Sequence, residues 1–456
     1  MASILDQARE FGIAPIPAPH RVLGFWDNFV LWADLGISFL VMVVGMFLVP
    51  GLGLGQALLA ILVGAVIGNL LLGLAAAIGS DTRVPTMVLL RGPLGLYGSY
   101  APTVLNILQL LGWATFEVIV MAQAADALTT RALGWPASYP LWVLAFSVLT
   151  LLLALGGPIV VVKQVLERVV IWAVLITTLW ITIALLASAD LGALLARPGT
   201  GELSFWLAVD LVVAMPISWF PLVADYSRFA RDRQAAFWGT ALGYFVPHVW
   251  FYALGALLVL AAGVAADPAA PIAPLLMAIA SLTAGWAALL VLLVDEADEA
   301  FANVYSTAVS LQNLLPRARQ RLLILLISAV VLVAAWLVPL TQYESFLLLI
   351  GSAFVPLLGV LAADYFVLRG RQYVVDELFR PQGAYWYTGG VNWVAIAVWI
   401  VGVVTYLAIA GLPALGVAGL APWLGASLPS FGVAFVLQLV LGRFAARQPA
   451  PAAAGS

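Results

Sequence analysis

The chain has 456 residues, 64% hydrophobic and 9% charged, with a formal net charge of −3 and no Cys. Soluble domains carry about 25% charged residues, so this chain lacks the charge to cover a water-facing surface and is built for lipid. The balance excludes a basic nucleic-acid binder, the missing Cys excludes disulfides and thiol chemistry, and His20 and His248 alone cannot build a His-rich metal site.

Residues 1–27 hold charges and three prolines but no long apolar run, so they read as a cytoplasmic N-terminal segment and not as a signal peptide. Helical spans need roughly 20 apolar residues to cross the hydrocarbon. Twelve such runs follow, at 28–49, 54–78, 99–126, 138–156, 168–189, 203–224, 236–262, 275–300, 321–340, 344–368, 391–411 and 427–444. They are continuous rather than alternating, which predicts an all-α membrane protein and not a β-barrel. With the N-terminus inside, 17 of the 19 Lys and Arg fall in inside segments, and only Arg131 and Arg197 fall outside. That asymmetry predicts twelve spans, both ends cytoplasmic, in the inner (plasma) membrane. The spans divide as 28–368 and a pair at 391–444, with a disordered tail at 445–456. A chain that is nearly all membrane favours a secondary transporter over a receptor or an ATP-driven pump. Gly51-Leu52-Gly53-Leu54-Gly55 lacks the Lys of a phosphate loop and reads as a turn.

Ionisable groups at membrane depth are costly unless paired or hydrated, so they mark candidate sites. Span one carries Asp34, Gly36 and Ser38 early in an apolar segment, where an unwound point would free carbonyls for a cation. Span three places Trp113 four residues before Glu117, on one helix face, which suits a flat heterocycle that stacks and donates N–H bonds. Span six carries Pro216 and Pro221 around Ser218 and Trp219, a pattern that predicts a discontinuous helix lining a cavity. At its inner end Asp225 and Arg228 are spaced as an i, i+3 ion pair. In span seven His248 reads as a packing residue. Span eight ends in Asp295-Glu296-Ala297-Asp298-Glu299, which cannot all be ionised in a dry setting: some carboxyls are protonated, hydrated or bound to a cation.

Trp113 with Glu117, the Pro216-Ile217-Ser218-Trp219 and Ala224-Asp225-Tyr226-Ser227-Arg228 segments, Asn303-Val304-Tyr305-Ser306, and Pro356 with Ala363-Asp364-Tyr365 together resemble the nucleobase:cation symporter-1 family, in appearance nearest its bacterial hydroxymethylpyrimidine permeases. The resemblance runs from about Val22 to Arg371. It implies a leucine-transporter-like 5+5 inverted repeat over the first ten spans, with helices one and six discontinuous and two further C-terminal helices. It also implies that Trp113 and Trp219 sandwich the substrate ring, that Glu117 stands where the hydantoin transporter has a substrate-binding Gln, and that Asn303 and Ser38 join the substrate site. The family's sodium site draws on carbonyls of spans one and eight and two span-eight hydroxyls. The corresponding set here is Gly36, Val294, Ala297 and Asp298, so the hydroxyl positions hold Ala and Asp, and the coupling ion is Na⁺ or, alternatively, H⁺.

A carboxylate at Glu117 prefers adjacent donors. The expectation is therefore import of a pyrimidine-type base, hydroxymethylpyrimidine or cytosine, by alternating access. No cofactor is expected, and the partners are the heterocycle and membrane lipid around a monomer. A purine or amino-acid symporter on the same scaffold is the alternative, and a polytopic enzyme using the span-eight acids with a divalent metal is the rival from another class.

Overall fold

A computed structural model of the chain describes residues 11–160, 171–263, 272–282, 285–338, 343–412 and 417–445. Long helices dominate, and among the described residues the only sheet is the short antiparallel pair Gly411–Leu412 and Val417–Ala418. Several helices begin where the sequence supplies a capping oxygen. Ser38, Ser204, Asp232 and Asn392 each accept a backbone N–H from the turn that follows.

The segments expected as spans two to seven, whose numbers serve here as labels, form the helices Leu54–Thr82, Tyr100–Leu133, Tyr139–Val160, Ile171–Ser188, Phe205–Ser227 and Arg233–Ala262. Spans nine to twelve are Gln320–Leu337, Tyr343–Ala362, Trp393–Ala410 and Ser427–Ala445. By length and apolarity, nine helices among the described residues suffice to cross a membrane, and the bent pair that forms span one makes ten. Span five contributes a shorter apolar helix, Trp172–Ser188.

Three elements depart from the sequence reading or sharpen it. Span one is broken, as Phe25–Asp34 and Phe39–Phe47, and the halves meet at 62°. The turn is stabilised locally: Ser38 accepts from Leu40 N at 3.1 Å, and Phe39 N donates to the Glu296 carboxylate at 2.6 Å. A carboxyl from span eight thus takes an orphan donor at the N-terminus of the second half-helix.

Span six, expected to be discontinuous, runs as one helix from Phe205 to Ser227 with both prolines inside. Each proline removes one N–H from the ladder without interrupting the helix. Gln109 donates to Ser218 O at 3.1 Å, and Ser218 Oγ to Met215 O at 2.6 Å.

Span eight is displaced from its expected limits of 275–300. Ala273–Ser281 is a separate short helix, and the span itself is Gly285–Leu314, 30 residues long. Its acids end the apolar run in the sequence, yet the helix continues past them, so they lie near its middle.

The packing pairs repeat themselves. Span one packs on seven and two on six; three packs on eight; four packs on eight and nine on three. Exchanging one with six, two with seven, three with eight and four with nine maps this set onto itself. That is the internal symmetry of two inverted repeats. Spans eleven and twelve pack on each other and on span ten. Span twelve is tied back to span six, where buried Asp210 accepts from Ala426 N at 2.5 Å and Ser427 N at 2.9 Å. The outer rows are apolar and unpartnered: Leu59, Leu62, Val66 and Leu70 recur at helical spacing on span two, all exposed, as a lipid-facing stripe requires.

Candidate functional site

Trp113 and Glu117 from span three, Met215, Ser218 and Trp219 from span six, and Glu299 and Asn303 from span eight close on one small cavity. Its volume is about 10 Å³, room for about one water and far too little for a planar ring. The walls have therefore closed on one another, and a planar ring enters only as they part.

The polar residues are bonded among themselves. Asn303 Nδ2 donates to Glu117 Oε1 at 2.8 Å and to Oε2 at 3.1 Å. The Glu299 side chain lies within hydrogen-bonding reach of Glu117. Glu117, Glu299 and Asn303 are all buried. Trp219 is fixed by its indole, which donates to Tyr244 OH at 2.9 Å, and by an edge-to-face contact with Trp32 at 6.0 Å. Trp113 packs edge-on against Phe346 at 5.2 Å. Two indoles are thus held rigidly at the cavity wall beside a carboxylate and an amide, an arrangement suited to stacking and edge recognition of a flat polar ring.

Of the residues expected here, Trp113, Glu117, Trp219 and Asn303 come together. Ser38 does not line the cavity; it caps the second half of span one and touches Glu296. Glu299 and Met215 were missed as cavity residues. Glu299 carried a usable signal, since it precedes Asn303 by four residues, as Trp113 precedes Glu117.

The cation-site residues lie at the break in span one and on the facing side of span eight. Gly36 sits in the break, with Pro247 and the carbonyls of Trp32 and Tyr244 packed against its α-carbon. Ala297 is buried and presents a methyl group. Asp298 faces Asp34 carboxyl to carboxyl, both buried. The Val294 and Asp295 side chains lie outside the described residues. Of the two positions where the resemblance places hydroxyls, one thus holds the Asp298 carboxyl and the other the Ala297 methyl group. Among the described residues no group of three or more His, Cys, Asp and Glu is arranged to hold a metal ion.

The expected Asp225–Arg228 ion pair is not formed. Arg228 Nε donates to the backbone oxygen of Asp225 at 3.1 Å, and the rest of the guanidinium reaches Gly12 O at 2.7 Å and Tyr305 OH at 3.2 Å. The Asp225 carboxylate accepts from Thr86 N at 3.1 Å instead. One turn of helix sets the two side chains on different neighbours, and the N-terminal segment supplies an acceptor that the spacing could not reveal. His248 packs between Tyr244 and Tyr252 and meets Asn69 at 3.3 Å.

A broken first span, paired inverted repeats and a closed polar cavity at their junction define a leucine-transporter-like membrane transporter, not an enzyme. Residues 15–424 match the family model described as permease for cytosine/purines, uracil, thiamine, allantoin, and the chain belongs to that nucleobase:cation symporter family. It is 26% identical to the hydantoin permease of Microbacterium maritypicum, over 85% of this chain and 82% of that one. It is also 26% identical to the cytosine permease of Escherichia coli (strain K12), over 89% and 93%. In fold it is similar to the nucleobase-cation-symport-1 transporter Mhp1, solved in a closed conformation with bromovinylhydantoin bound. The TM-score is 0.81 at 23% identity, covering 96% of each chain. A Na⁺-coupled sialic acid symporter gives 0.61 at 13% identity, covering 98% of this chain and 96% of that one.

Proposed function

We propose that the protein is a secondary active symporter that imports a pyrimidine-type base, hydroxymethylpyrimidine or cytosine, coupled to Na⁺ or H⁺ by alternating access. The observation that carries this reading is the convergence of Trp113, Glu117, Trp219 and Asn303 on one closed cavity. The indoles stack on the ring, and Glu117 and Asn303 read its polar edge. The relatives named for cytosine and hydantoin support a small heterocycle as the cargo. Twelve spans in two parts, 28–368 and 391–444, both termini cytoplasmic and a monomer in the inner membrane complete the proposal.

The coupled ion sits at the junction of spans one and eight, near Gly36, Val294, Ala297 and Asp298. The Asp34–Asp298 contact supports a charge carrier there, either Na⁺ held by carboxylate and carbonyl oxygens or a proton shared between the two acids. Ion binding orders the break in span one, and substrate then licenses closure through its differential affinity for the two states.

The test is thermal stability of the detergent-purified protein against hydroxymethylpyrimidine, cytosine, uracil, adenine, hydantoin and thiamine, with sodium and with choline in its place. A ligand at 100 times its dissociation constant adds about 2.7 kcal/mol. A shift from an aminopyrimidine, larger in sodium, supports the reading with sodium coupling. A shift that follows pH and ignores sodium assigns the proton. No shift from any ring refutes the substrate class.

A further inference from the structure

The hydrogen-bond inventory of the cavity is lopsided. Asn303 Nδ2 is spent on both oxygens of Glu117, Ser218 Oγ donates within its own helix to Met215 O, and Trp219 Nε1 donates to Tyr244. No Arg, Lys or His lines the cavity. What faces the space is two carboxyl groups, Glu117 and Glu299, within hydrogen-bonding reach of each other and coming from different helices. Two buried carboxyls in hydrogen-bond contact hold a proton between them, so the pair presents one O–H donor beside its acceptor sites.

We infer that Glu299 is a second substrate-recognising carboxyl, and that Glu117 and Glu299 together form a proton-sharing clamp selecting heterocycles with an amidine edge, an exocyclic NH₂ beside a basic ring nitrogen. This rests on the reading of the cavity as the substrate site and deepens it. An amidine edge gives its exocyclic N–H to one carboxyl and takes the shared proton at its ring nitrogen, so it faces the two resulting carboxylates as a cation with paired donors. An imide edge, carbonyl–N–H–carbonyl, has one donor and no basic nitrogen to take the shared proton, so it gains no charge-assisted pair from the clamp. Rings of the same size and stacking power are thus separated by whether the edge carries a basic nitrogen beside its donor, the kind of discrimination that a polar site performs best.

The experiment measures competition by cytosine and by uracil, matched in size, against labelled cytosine bound to the purified full-length protein, for the wild type, Glu299→Gln and Glu299→Asp. The ratio of the two affinities is read within each sample, so loss of folded protein cancels. Wild type prefers cytosine by about 100-fold, the worth of two hydrogen bonds to charged groups. Glu299→Gln, whose amide offers a donor, narrows that preference by about 10-fold, with uracil unchanged or tighter, and Glu299→Asp keeps most of it. A wild type that takes uracil as readily as cytosine overturns the inference, as does a Glu299→Gln ratio equal to wild type. Wild type that binds neither ring, nor hydroxymethylpyrimidine in the same assay, overturns the nucleobase reading itself, an outcome distinct from an unchanged ratio.

Discussion

Asn303 on span eight donates to both carboxylate oxygens of Glu117 on span three, at 2.8 and 3.1 Å. In the closed cavity this one amide spans the two helices that would flank a bound ring, so a substrate must compete with it for Glu117. The carboxylate keeps lone pairs for the incoming donors, whereas a Gln amide would turn a donor toward them. Glu117→Gln is therefore expected to weaken uptake of an aminopyrimidine into proteoliposomes by about 10- to 100-fold, the range for a hydrogen bond to a charged group. Improved uptake by this variant would show that Glu117 does not act as an acceptor.

Much of the architecture is legible in the sequence because lipid imposes a simple rule: a span is a long apolar run, and arginines stay inside. The rule fails where function puts charge at depth. The apolar run of span eight stops at its acids for that reason, and Glu296, Asp298 and Glu299 among them are what the helix carries to span one and to the cavity. The Trp113–Glu117 spacing is readable on one helix. The Glu117–Asn303 bond is not, since it joins residues 186 apart. The seating of residues 11–24 was equally hidden. Arg21 reaches Ala230 O at 2.9 Å and Arg228 reaches Gly12 O at 2.7 Å, contacts of charged side chains with backbone that no periodicity encodes.

Because the chain contains no Cys, a single introduced thiol reports on one place only. Ser218 lines the cavity and is 4% exposed. A Ser218→Cys variant should react slowly with a small maleimide, as the walls open and close, and saturating substrate should slow it further. Gln234→Cys, at an exposed position beyond the cavity, should react at a rate that substrate leaves unchanged. Equal substrate protection at both positions would mean a global conformational effect and not occupation of the cavity.

A buried knot ties the end of span eight to the segment between spans two and three. Arg91 Nε donates to Asn313 Oδ1 at 2.8 Å, and its other nitrogens reach Leu378 O and Asn313 O. Asn313 Nδ2 in turn donates to Ser99 Oγ at 3.0 Å and Thr103 Oγ1 at 2.9 Å. Asn313→Ala leaves the guanidinium short of its best acceptor and should cost about 3 kcal/mol, whereas Arg91→Met with Asn313→Leu should cost less than the sum of the single changes. Denaturation of ligand-binding activity in detergent measures all three. Additive losses would mean that the two side chains do not act as a unit.

Spans two and six approach closely through glycine. Gly64 and Gly68 lie one turn apart on span two, and a Cβ at either would overlap Val212 or the ring of Pro216 on span six. Small residues at this spacing let two membrane helices pack backbone to backbone. Gly68→Ala should therefore cost about 1–3 kcal/mol through overpacking, even though alanine is the better helix former by about 1 kcal/mol. Gly55→Ala, on the same helix with open space around it, should be neutral or slightly stabilising. Span six also carries Trp219, so a shift of its axis at Pro216 moves an indole of the cavity, and Gly68→Ala should weaken substrate binding together with stability. If Gly68→Ala proved as harmless as Gly55→Ala, helix propensity would have outweighed the contact, and the close approach of spans two and six would not hold in the membrane.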